Sequence, residues 1–138
     1  HNSEESRIFD IVRKKYVCLT SEEWVRQHWV HYLVHHLGYP VGLVSLERTI
    51  RCKYRLQHRP DIVVYDQAGK PQLLVECKSP QVTLSIDTLG QLARYSAYIR
   101  PRILVVSNGI QHFCWQIDAA TATLKSLSNV PQFSMLQG

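Results

Sequence analysis

Apolar residues fall into short blocks along the chain, and the spacing within each block predicts an order of elements. Val25, Trp29, Tyr32, Leu33 and Leu37 recur at helical intervals and lie on one stripe of a helix. Thr20-Ser21-Glu22-Glu23 in front of them reads as a capping box. In it the Thr20 hydroxyl accepts from the Glu23 amide and the Glu23 carboxylate reaches back to Thr20. Gly38 with Tyr39-Pro40 supplies the stop. Upstream, residues 1–10 read as frayed and Ile11 to Leu19 as a short lead-in packed on the helix. Val44, Leu46 and Ile50 among charges predict a strand from Leu43 to Arg51. Asp61 to Tyr65 and Gln72 to Cys77 are two Val- and Leu-rich runs separated by Asp66-Gln67-Ala68-Gly69-Lys70-Pro71, a turn composition, so they predict a hairpin. Leu89, Leu92, Ser96 and Ile99 share one side of a helix within Leu84 to Ile99, with Ala93 and Ala97 small enough for close packing and Pro101 ending it. Ile103 to Val106 is a buried-type strand, Ser107-Asn108-Gly109 a turn, and Phe113, Trp115 and Ile117 alternate with polar residues in a last strand. The tail after Thr121 is weakly patterned. Helix, three strands, helix, two strands predicts an α/β or α+β sandwich with a mixed sheet.

Composition narrows the class. A chain of 138 residues, 45% apolar and 20% charged, fits one domain able to bury its own core. The formal charge of +5 suits a phosphate-rich or otherwise acidic partner. The four cysteines, at 18, 52, 77 and 114, form no CxxC pair and no disulfide framework, which predicts reduced thiols and a cytoplasmic protein. No stretch is long and apolar enough to cross a bilayer, so no membrane is expected as a partner.

The chemistry concentrates in the hairpin, whose apolar strands carry charges where such runs normally carry none. Side chains alternate across a strand, so Glu76 and Lys78 share a face, and Asp61 at the head of the partner strand comes close to both. Neighbouring carboxylates out of water repel unless a cation compensates, and a hydrated Mg²⁺ does so well. Lys78 is left to orient the attacking water and offset charge developing on a phosphate. The plainer reading is an ion pair between Glu76 and Lys78, with Asp61 merely opening a strand after Pro60. Gln91 and Tyr95, four residues apart, share a helix face with Thr88 and Tyr98 nearby, and that face is not the one of Leu89 and Leu92. A helical wheel turns Glu22 inward beside Val25, Trp29 and Leu33 and leaves Glu23 on the flank, which makes Glu22 the third candidate metal ligand. The alternative is that both acids merely favour the positive end of the helix dipole.

The strings TSEEWVRQHWVHYLVHHLGYP, RPDIVVYD, LLVECKSP, QLARY and VVSNG, in that order, resemble the N-terminal domain family of type I restriction enzyme R subunits, within the PD-(D/E)xK nuclease superfamily. The resemblance runs from about Tyr16 to Asp118. It implies a restriction-endonuclease-like fold, a central mixed sheet flanked by helices, and Mg²⁺-dependent DNA cleavage in which Mn²⁺ can substitute. It also implies Asp61 and Glu76 as metal ligands, Lys78 as the catalytic lysine, and Gln91 with Tyr95 as the helix motif of this branch. Other restriction-modification subunits are then expected partners, and a homo-oligomer stays open. One departure stands out: no G-x-x-x-x-G-K-[ST] phosphate loop occurs, so ATP-driven translocation is not implied.

Weaker signals read blandly. His31 and His35 stand at i, i+4 but face away from Trp29 and Leu33, without an HExxH arrangement, and read as solvated. Cys77 points opposite to its neighbours and reads as a core thiol; Trp24 and Trp29 read as packing residues. Arg48, Arg51, Lys53, Arg55 and Arg59 lead into Asp61 and would meet flanking phosphates, with Arg94, Arg100 and Arg102 extending that surface. The expectation is a metal-dependent deoxyribonuclease domain. Its rival is a module of the same fold that binds DNA or a partner subunit and cleaves nothing.

Overall fold

The computed structural model describes residues 6–46, 61–85, 100–118, 120–121 and 123–136. The first elements are a short hairpin, β1 (Arg7–Asp10) and β2 (Lys15–Cys18), paired antiparallel, where the sequence predicted fraying and a lead-in. Its turn is built by Asp10, whose buried carboxylate accepts from the Val12 and Arg13 amides at 2.8 and 3.1 Å. Lys14 takes a left-handed φ of 57° there.

Helix α1 (Ser21–His31) follows, capped by Thr20, whose hydroxyl accepts from the Glu23 amide at 3.0 Å. The predicted helix runs on to Leu37, but its last turn widens into a π-helical segment at Tyr32–His36 before Gly38 reverses the chain at φ +80°. Only half of the capping box forms: the Thr20 amide donates to the Cys18 carbonyl, and the Glu23 carboxylate is engaged elsewhere.

The main sheet has six strands in the order β3-β4-β5-β6-β7-β8. These are Val44–Leu46, Ile62–Tyr65, Pro71–Cys77, Ile103–Ser107, His112–Asp118 and Thr123–Leu127. All neighbours pair antiparallel except β5 and β6, which run parallel. The sheet is therefore mixed, as expected, and the fold is α+β. Strand β8 and the 3-10 turn Phe133–Leu136 lie in the tail that the sequence left unpatterned; Phe133 packs edge-on against buried Tyr39.

The main core gathers Val25, Trp29 and Val30 of α1 and Leu33 of the π-helical segment against Ile62, Leu73, Val75, Cys77, Ile103 and Val105 of the sheet. Burying each large aliphatic here stabilises by about 1.5–3 kcal/mol. On the opposite face Leu74, Leu104 and Val106 form a smaller cluster with Leu84, Trp115 and Ile117. Strands β4, β5 and β6 are thus covered on both sides, which is why they read as near-continuous apolar runs. The remainder of the predicted Leu43–Arg51 strand beyond Leu46, and the predicted helix beyond Ser85, lie outside the described residues.

Candidate active site

The β4–β5 hairpin is closed by Asp66, which accepts from the amides of Ala68 and Lys70 at 2.9 and 2.8 Å while Gly69 supplies φ +84°. At the far, open end the register pairs Ile62 with Val75, so one step further Asp61 stands across from Glu76. The Asp61 Oδ2 accepts from the Cys77 amide at 2.7 Å, which ties the head of one strand to the end of the other. β5 then continues along β6, with the Lys78 amide donating to the Ser107 carbonyl at 2.8 Å.

Alternation does the rest. Cys77 turns into the main core and is fully buried, so burial pushes its thiol pKa well up, as expected of a packing residue. Glu76 and Lys78 emerge together on the other side, the Lys78 Nζ 3.3 Å from Glu76 Oε2. The two acids and the lysine that the sequence singled out are therefore brought together.

Glu76 is only 6% exposed, and its Oε1 is buried with no hydrogen-bond partner among the described residues. Burial, reinforced by the negative charges of Asp61 and more weakly Glu22, pushes its pKa up to about 8 against the opposing pull of Lys78. A buried, unsatisfied carboxylate oxygen is costly unless a cation or donor meets it. Hard oxygen donors beside a second carboxylate suit Mg²⁺, so the residues present fit such an ion. Among the described residues, however, no three His, Cys, Asp or Glu side chains come together as a ready cage.

Helix α1 contributes differently from the wheel's expectation. Glu22 is exposed, though its charge still reaches Glu76, and Glu23 is the buried acid. Glu23 accepts from Arg13 at 3.0 Å, from Gln27 at 2.7 Å, and from Arg26. Arg26, 5% exposed, bridges onward to the Asp61 Oδ1 at 2.6 Å. Arg13 in turn pairs with Asp10. Burial works to raise the Asp10 pKa, but the Arg13 guanidinium and the two turn amides outweigh it and hold the carboxyl below its ordinary range.

The sequence reading missed Arg26 and Gln27. Their signal was there, because they sit three and four residues after Glu23 on the stripe that also carries Val30, a set of polar groups at core-facing helix positions.

Behind the cluster, the Ser107-Asn108-Gly109 turn is as predicted. Asn108 accepts from the Ile110 and Gln111 amides at 2.9 and 2.7 Å and donates to the Val82 carbonyl at 2.8 Å, which holds the segment after Lys78. Between α1 and β6–β7 lies a hollow of about 390 Å³ lined by Trp24, His28, Trp29 and His112 among others, and none of Asp61, Glu76 or Lys78 faces it. The chemistry, not the size of the hollow, marks the candidate site.

His31 and His35 are exposed, as expected. Trp29 is core, while Trp24 is 42% exposed and lies against His28. Arg102 donates to Gln72 and the Leu136 carbonyl, away from the acid cluster. Gln91, Tyr95, Arg48, Arg51, Lys53, Arg55, Arg59 and Arg94 lie outside the described residues.

The profile of the family described as "Type I restriction enzyme R protein N terminus" matches residues 21–131, most of the chain, including Asp61, Glu76, Lys78 and the Glu23–Arg26 pair. The chain belongs to this family. Among solved structures it is similar to a fragment assigned to the HsdR subunit of a type I restriction enzyme from Vibrio vulnificus YJ016, with a TM-score of 0.55 and 18% identity. That match covers 86% of this chain and only 25% of that one, so this R-subunit-type domain spans a quarter of its structural neighbour. At such identity the likeness carries the fold. No curated protein matches the chain. Among the described residues of this R-protein N-terminal chain, no helix is long and apolar enough to cross a membrane.

Proposed function

We propose that residues 1–138 form one nuclease-like domain that hydrolyses DNA phosphodiester bonds with Mg²⁺, or Mn²⁺ in its place. The observation that carries the reading is the orphaned Glu76 Oε1, buried beside Asp61 and within an ion pair of Lys78. Asp61 and Glu76 would hold the ion, and exposed Glu22 adds a third negative charge close by. When bound, the metal supplies Lewis acidity at a phosphate oxygen and a more acidic water.

The rest falls to the protein. Lys78 presents an ammonium where it can donate to the attacking water or to a non-bridging oxygen, whose charge grows in the transition state. Glu76 Oε2 keeps that ammonium in place. The Cys77 amide and Arg26 fix both oxygens of Asp61, so the acid is aimed before substrate arrives. Gln91 and Tyr95 are assigned to hold the water or a phosphate oxygen, and Arg51, Lys53, Arg55, Arg59 and Arg94 to meet flanking phosphates without reading sequence. Restriction-modification subunits are the proposed protein partners, and the cytoplasm the proposed compartment.

A second reading has its own support: Asp61 is already engaged by Arg26 and an amide, and among the described residues no three-ligand cage stands ready. A module that binds DNA or a partner subunit without cutting would tolerate this. Plasmid nicking separates the two. Under the nuclease reading, the purified chain nicks or cuts plasmid DNA with Mg²⁺ or Mn²⁺. Lys78→Ala and Asp61→Ala each abolish cutting, and Lys78→Ala keeps the wild-type melting profile. Salt-sensitive DNA binding with no cutting in either metal would establish the rival; cutting that persists in both variants would remove the assignment of the site.

A further inference from the structure

We propose that Arg26 is a positioning residue that stands in for a second cation, so that the site accepts a single divalent ion, between Asp61 and Glu76, with Arg26 remaining on Asp61. The inference rests on the metal-dependent reading above and concerns how many ions the site takes and what sets their affinity.

Both oxygens of Asp61 are engaged. Its Oδ1 receives the Arg26 guanidinium at 2.6 Å and its Oδ2 the Cys77 amide at 2.7 Å, and all three groups are buried. A guanidinium offers two parallel donors in a fixed fork, and Arg26 spends one nitrogen on Asp61 and another on Glu23. Glu23 is itself anchored by Arg13 and Gln27. This places Arg26 on a frame that runs back to the β1–β2 hairpin, not on a loose arm.

The bonded oxygens of Asp61 keep lone pairs, since a carboxylate can accept about four bonds. An ion on the Glu76 side can therefore share Asp61 without evicting Arg26. On the α1 side the cation position is filled by the protein itself.

Charge points the same way. With the Asp10–Arg13 pair set aside as mutually compensated, and with Glu76 ionised as an ion-binding carboxylate must be, Glu22, Glu23, Asp61 and Glu76 stand against Arg26 and Lys78. Among the described residues that leaves two negative charges. One divalent ion neutralises them; two would leave an excess of positive charge in a buried place, which desolvation opposes. Without Arg26 the excess is three negative charges, and the attraction for divalent ions rises.

Mn²⁺ binding, followed by calorimetry and by loss of the free-ion electron-spin signal with no DNA present, tests this on the whole chain. The wild type is expected to take one Mn²⁺. Arg26→Gln is expected to bind Mn²⁺ roughly tenfold tighter or more, or to take up a second ion, since a like charge a few ångströms away has been removed. Arg26→Lys is expected to stay within about threefold of wild type, because the charge is kept. A folded Arg26→Gln protein that binds one ion no tighter than wild type overturns the inference, as does a wild type that takes two.

Should Arg26→Gln fail to fold, Glu23→Gln serves. It removes one negative charge and leaves Arg26 to lean on Asp61, so Mn²⁺ binding should weaken about threefold or more. Unchanged affinity in that variant overturns the inference too. If the wild type binds no Mn²⁺ but Arg26→Gln does, Arg26 is confirmed as the resident cation while the metal-dependent activity proposed for the unaltered chain fails. Binding by neither sinks both.

Discussion

Glu76→Gln is the perturbation that interrogates the site most directly, because it removes the charge while keeping the shape. The carboxyl of Glu76 has its pKa pushed from 4.5 to about 8, first by burial and then by Asp61. The folded chain therefore holds this proton over a pH range where the unfolded chain has released it. More protons bound in the folded state means that stability falls as pH rises, from about 4.5 through about 8. At about 1.4 kcal/mol per pH unit, the ionised group costs the metal-free protein up to about 4–5 kcal/mol once the pH is above 8. Glutamine carries no such penalty. Urea denaturation in chelator at pH 4.5 and pH 9 should show the variant gaining several kcal/mol on the wild type between the two conditions. Comparing the change across pH cancels any constant cost of the amide. Saturating Mg²⁺ at pH 9 should then raise the wild-type midpoint and leave that of Glu76→Gln where it was, because a bound ion favours the ionised acid. Parallel stability curves for the two proteins from pH 4.5 to 9 would refute the claim that Glu76 lies in an electrostatically unfavourable, dry place.

Two further outcomes follow from named contacts. Asp10→Asn should lower the urea midpoint at pH 7 by the equivalent of about 2 kcal/mol, since it leaves Arg13 with one partner fewer. Because the Asp10 pKa is held below its ordinary 3.8, the wild type keeps this advantage above that value and loses it as the pH falls through the lower folded value; a deficit that persists undiminished at the most acid pH at which both proteins remain folded would count against it. Gly109→Ala should cost about 1–2 kcal/mol by thermal melting, because φ is +88° and a Cβ would come 3.2 Å from Val25 Cγ2; a melting temperature equal to wild type would contradict this.

The sequence made the hairpin and its acids legible for a physical reason: an apolar strand buried on both faces carries charge only where something demands it. Period-two alternation then placed Glu76 and Lys78 together and Cys77 in the core. The helix was legible in extent but not in its polar face. A wheel that set Glu22 beside Val25, Trp29 and Leu33 turned it inward, whereas Tyr32 of the same apolar stripe is 42% exposed and Val30 is fully buried. Val30, Arg26 and Gln27 widen the buried arc enough to take in Glu23. No apolar pattern announces such a face, since the groups that fill it neutralise one another instead of avoiding water. Strands β1, β2 and β8 escaped for a different reason. The first two are four residues each, and Thr123–Leu127 is mostly exposed, so neither offers a run of alternating burial long enough to stand out.

The tight reversal at Asp66–Lys70 lies at the opposite end of β4 and β5 from Asp61 and Glu76. Extra residues spliced into that reversal would extend into solvent and leave the pairing of the strands below it unchanged. It is accordingly the natural place to graft a fluorophore or an affinity tag, whereas deleting one residue inside β5 would exchange the outward and inward positions beyond it and send a carboxylate toward Trp29 and Ile103.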